Sequence, residues 1–102
     1  MGLFRRKDAK EKDAAALLAR IDGKAVKYVS RRDPATGVES VIGREGRINT
    51  REGQIVIVCN GSEVFRCPAS DAQCGELLSL DGVIIRTDGQ TVVAYYQYYR
   101  QV

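Results

Sequence analysis

Four of the five tyrosines fall within five positions, Tyr95, Tyr96, Tyr98 and Tyr99, with Arg100 directly after them. In an extended strand Tyr95 and Tyr99 share one side with Gln97, while Tyr96 and Tyr98 share the other. Aromatic rings on a sheet face stack against nucleic-acid bases when cations stand beside them. They also close a core edge or form a protein interface with the hydroxyl left wet. Arg100 is the only neighbouring cation, so the sequence favours the interface. A second cluster lies at the start of the chain, where Phe4, Arg5, Arg6, Lys7, Lys10 and Lys12 combine an aromatic ring with five cations. Such a segment suits contact with nucleic acid or an anionic membrane, each basic side chain near such a membrane contributing about 1 kcal/mol.

Other chemistries are excluded by residue type. There is no histidine, which removes the commonest general base and metal ligand. Cys59, Cys67 and Cys74 contain no Cys-x-x-Cys pair and lack a fourth ligand, so they read as small apolar side chains kept reduced in the cytoplasm. Asp81 and Asp88 precede glycines, where Asp serves turns. Gly43-Arg44-Glu45-Gly46 lies in β-patterned sequence without a Gly-Lys-Ser/Thr ending, so it is no phosphate loop. The sequence is therefore expected to carry no catalytic residue, no metal and no cofactor. The pair Arg31-Arg32 is similar to arginine pairs of the cyclic-dinucleotide-binding PilZ domain. The Asp/Asn-x-Ser/Ala-x-x-Gly motif of that family is unmatched: Asn49 to Gly53 lacks the small third residue and is one position short. Arg31-Arg32 reads as a solvated strand end.

The elements that position these groups follow from patterning. The chain of 102 residues fits one domain. No apolar run reaches the roughly 20 residues of a spanning helix, and no apolar stretch follows Arg5-Arg6-Lys7 as a secretory signal requires. Residues 1–32 hold ten basic and four acidic side chains, and residues 33–102 hold six and nine. The net charge of +3 therefore hides a basic start and a mildly acidic body. Residues 1–7 are expected as a flexible basic leader and 8–102 as a single domain. Asp8-Ala9-Lys10-Glu11 has the form of a capping box, and Leu17, Leu18 and Ile21 follow at helical spacing. This predicts an amphipathic helix over 10–21, stopped by Asp22-Gly23.

Beyond Gly23 turn signals recur between β-branched runs. Strands are expected at 24–32, 38–50, 54–59, 62–67, 77–80, 83–86 and 91–99, with Ala69–Gly75 as a polar excursion holding one helical turn capped by Ser70. Gly43 and Gly46 mark bulges or bends. Asn60-Gly61 is the strongest hairpin signal, and a two-residue turn there sets Val56 against Phe65 and Ile57 against Val64. Residues 41–59 and 77–95 also align at an offset of 36, matching Gly46 with Gly82, Ile48 with Ile84, Gly53 with Gly89, Gln54 with Gln90 and Val56 with Val92. This predicts two similar hairpins in equivalent positions.

Ile55–Val58 and Val83–Ile85 are apolar on both strand faces, which a single solvated sheet does not explain. The fold expected is mainly β: the N-terminal amphipathic helix, then a small antiparallel barrel of about six to seven short strands, the helix covering it or plugging one end. A helix followed by short strands resembles the Sm-like and oligonucleotide-binding small-barrel plans. The function expected is that of a non-catalytic barrel working through protein contacts, first of all a homodimer formed through the edge or face of the last strand. The alternative is a nucleic-acid or nucleotide binder using the basic segment with Tyr28 or Tyr95–Tyr99. A third reading is a peripheral membrane adaptor using the leader.

Overall fold

A computed structural model describes residues 15–77 and 81–97. Residues 15–21 are helical, α1, and the capping box expected to start this helix lies outside the described residues. Leu17 and Ile21 turn into the core. The helix ends where Gly23 takes φ 83, a left-handed value that side chains resist. Gly23 N–H then donates to the Ile48 carbonyl at 2.7 Å, and Ile48 N–H to the Lys24 carbonyl at 3.0 Å. These bonds tie the helix exit to the sheet. No helix among the described residues is long and apolar enough to cross a membrane.

Seven strands follow: β1 (Ala25–Arg32), β2 (Glu39–Asn49), β3 (Gln54–Cys59), β4 (Ser62–Pro68), β5 (Gln73–Glu76), β6 (Gly82–Thr87) and β7 (Gln90–Tyr96). They form one antiparallel sheet in the order β4-β3-β2-β1-β7-β6-β5, curled into a half-barrel. The inner face holds the core, where Val26, Val29, Ile48, Ile57, Ile85, Val92 and Ala94 pack with Leu17 and Ile21 of α1. Apolar runs resolve by alternation: in β3, Ile55, Ile57 and Cys59 are buried while Val56 and Val58 are only half-buried.

The repeat at offset 36 recurs in strand pairing but not in facing, since Ile48 and Ile57 are in the core and their counterparts Ile84 and Val93 are not. β2 pairs with β3 as Gly46↔Cys59, Arg47↔Val58, Ile48↔Ile57 and Asn49↔Val56. β6 pairs with β7 as Gly82↔Tyr95, Val83↔Ala94, Ile84↔Val93 and Ile85↔Val92. Every pair of the first hairpin reappears in the second, 36 residues on. The turns match as well, Glu52-Gly53 and Asp88-Gly89 both taking positive φ.

Three expectations are corrected. Asn60 and Gly61 both take positive φ as expected, but Ile57 pairs with Phe65 and Val56 with Arg66, because a bulge follows the first two pairs. The extra residue, Val64, turns Phe65 and Cys67 inward, where both are 6% exposed. Burial of the phenyl ring thus overrides the register set by the turn. The 3-10 turn Ala69–Asp71 is preceded by Pro68 and has no side-chain cap, so Ser70 lies inside it. The stretch expected as a polar excursion up to Gly75 instead holds β5 at Gln73–Glu76, after which Leu77 N–H donates to the Gly82 carbonyl at 2.9 Å; residues 78–80 of the strand expected at 77–80 lie outside the described residues. Gly43 and Gly46 flank Glu45, which takes φ 55, and both make room for Cys59: a Cβ on Gly43 would lie 2.7 Å from its Sγ.

Candidate functional site

The outer face of β6-β7-β1-β2 can be read as three rows of cross-strand neighbours. The first row is Arg86, Thr91, Arg32, Glu39; the second is Ile84, Val93, Ser30, Val41; the third is Gly82, Tyr95, Tyr28, Arg44. Val93 and Ser30 in the middle row are buried although they stand apart from the core cluster. At the end of the row Val41 remains 45% exposed.

Glu39 organises this face. Ser30 Oγ donates to Glu39 Oε1 at 2.6 Å, Arg32 Nη2 donates to Oε2 at 3.1 Å, and Tyr95 OH reaches Oε1 at 3.4 Å. The hydroxyl of Ser30, with the Arg32 guanidinium behind it, holds the Glu39 carboxyl below its ordinary range. Burial pushes the Tyr95 phenol up, and the Glu39 charge adds to that shift. Tyr28 and Tyr95 contact each other with centroids 4.6 Å apart and planes tilted by 34°.

The structure separates residues that the sequence groups together. Tyr95 lies on the outer face, while Tyr96 is in the core at 2% exposure, as alternation requires. Lys24 Nζ stands 4.9 Å from the Tyr96 ring centroid, and burial pushes the Tyr96 phenol up to about 12. Tyr98, Tyr99 and Arg100 lie outside the described residues, as do Phe4, Arg5, Arg6, Lys7, Lys10 and Lys12. The last strand also has no free edge: β7 pairs with β1 on one side and β6 on the other. The dimer edge expected there is therefore occupied within the chain.

The free edge lies elsewhere. β2 spans Glu39–Asn49, but β3 pairs only with its Gly46–Asn49 part. Its first half has β1 on one side and no ladder on the other among the described residues. Val38 and Val41, at 61% and 45% exposure, are the exposed large hydrophobic residues of the described chain; Val41 lies in this segment and Val38 immediately precedes it. A crevice runs beside it, lined by Val38, Ser40, Ile42, Pro34, Arg31 and Gln90. Arg31 makes no ion pair among the described residues, whereas Arg32 is held by Glu39. In the sequence this stretch, expected as part of the strand at 38–50, is marked by Val38-Glu39-Ser40-Val41-Ile42, three β-branched apolar residues around one charge.

The thiols show no sign of activation. Burial pushes up Cys59 and Cys67, and raises Cys74 to about 11, the nearby Cys67 adding to that shift. Asp22 is lowered by the backbone N–H of Thr50, and Glu63 by Arg66. Each of these shifts moves its group away from neutral pH. Comparison with known families, with characterised proteins and with solved structures finds no match. The fold and surface define the class alone: a small antiparallel half-barrel with a helix on its core and a free apolar stretch of edge on β2.

Proposed function

We propose that this protein is a non-catalytic binding module of the cytoplasm that works through protein contacts, in the simplest case with a second copy of itself. The observation that carries this reading is the free first half of β2, where the two exposed large hydrophobic residues of the described chain stand together, Val41 within the strand and Val38 just before it. An exposed apolar sheet edge is a template for pairing, which proteins ordinarily blunt or use. The direction of the ionisation shifts supports a non-catalytic role, since carboxyls move down and thiols and phenols move up. Three free thiols support a reducing compartment. Light scattering of the full chain over a wide concentration range tests the reading: a dimer is expected, and a monomer throughout overturns it.

A second reading, a single-stranded nucleic-acid binder, draws on the outer Tyr28–Tyr95 contact with Arg44 beside Tyr28 in register. It predicts a salt-dependent gel shift with single-stranded RNA. Absence of a shift at low salt removes it.

A further inference from the structure

The free edge of β2 has a symmetry of its own. Asp33 N–H donates to the Val38 carbonyl at 2.9 Å, so Val38 and, two residues on, Ser40 direct their backbone groups toward β1. Glu39 and Val41 between them direct theirs away from β1, toward the side where β3 is absent. By alternation the side chains of Glu39 and Val41 are on the outer face, and those of Val38, Ser40 and Ile42 border the crevice.

We propose that a second copy of this chain adds to this edge, with β2 antiparallel to β2 of the partner across a twofold axis at Ser40. This rests on the self-association reading and specifies its geometry. In this register Glu39 opposes Val41 of the partner subunit, and Val38 opposes Ile42 of the partner subunit. All pairs are in phase with the pleat. The outward groups of Glu39 and Val41 meet their counterparts as hydrogen-bonded pairs, while Ser40 faces its own copy in a non-hydrogen-bonded pair.

Three features single out a second copy as the occupant. No like charges oppose each other, because Glu39 meets a valine and is already neutralised by Arg32 on its own sheet. The two apolar pairs formed by Val38 and Ile42 close over the two crevices, one from each copy. The bulge at Ile42, where the β1 register shifts between Val29 and Ser30, ends the in-phase segment and limits the ladder to a closed pair. An extended filament would need a longer regular edge.

The test uses the full chain in three forms. Ser40→Cys places two thiols across the axis at about 4.5 Å between Cα atoms, within disulfide range. Mild oxidation is expected to yield a covalent dimer, whereas Arg44→Cys and the unaltered chain yield none. Val41→Pro removes an N–H that only the partner uses, so the dimer is expected to be lost while circular dichroism stays unchanged. A dimeric parent chain that neither cross-links through Ser40→Cys nor dissociates with Val41→Pro overturns this register and leaves self-association standing. A parent chain that is monomeric at every concentration overturns both.

Discussion

Gly46 and Gly82 hold the same register position in two hairpins paired alike. A Cβ on Gly46 would collide with the Val58 carbonyl oxygen, and one on Gly82 would lie 2.6 Å from the Ala94 carbonyl oxygen. Val58 and Ala94 are themselves equivalent at the offset of 36. The glycines are thus required by close approach of backbone to backbone, and neither takes a positive φ.

Each of Gly46→Ala and Gly82→Ala is expected to destabilise the fold by about 1–3 kcal/mol, the usual cost of forcing a methyl into packed structure. Gly75→Ala, whose Cβ meets nothing within 4 Å, is expected to be stabilising by about 0.4–1 kcal/mol through lost freedom of the unfolded chain. Urea denaturation of the three variants separates the two effects.

The turn at Glu52-Gly53 carries a strain that one substitution relieves. Glu52 sits at φ 58, a conformation that costs most L-residues about 1–2 kcal/mol and Asn much less. Glu52→Asn is expected to raise stability by about 0.5–1 kcal/mol in thermal or chemical unfolding, with no change in oligomeric state.

Glu39 couples the outer face to pH. Its folded pKa is depressed, so its contribution is complete above the ordinary value of 4.5 and is lost as the pH falls through the folded pKa. The parent chain is therefore expected to lose stability below about pH 4.5 more steeply than Glu39→Gln. Urea midpoints between pH 3 and 7 give the comparison. Equal slopes for the two chains would remove Glu39 as a contributor.

The thiols are expected to be sluggish in the folded state. Cys59 and Cys67 are buried, and Cys74 is raised to about 11. Reaction with a chromogenic disulfide at pH 7 is expected to be slow for all three and to become fast on adding denaturant. A fast thiol in the native protein would mark an activating environment that none of these positions has.

What could be read from the sequence follows from what is local. Asn60-Gly61 fixes a hairpin because both residues must take positive φ, and the alternation of β3 appears unaided. The echo at offset 36 also reflects real geometry, since its matched glycines, turn residues and valines recur in the same pairs. Long-range packing was not legible. The bulge at Val64 comes from the need to bury Phe65, and the pairing of β7 with β1 joins residues far apart in the chain. The site was half-legible: Tyr95 was singled out, but its partners Tyr28 and Glu39 are set by that long-range pairing. The free edge was missed because it depends on where β3 stops.

The pairing of β1 with β7 has a consequence for the order of the chain. The outermost strands β4 and β5 are consecutive in sequence and joined only through residues 69–72. A circular permutant opened in that link would run β5, β6, β7, β1, β2, β3, β4. Each strand would then pair only with the one before and the one after it. The same sheet would become a simple meander, and a fall in contact order of that kind speeds folding without altering a native pair.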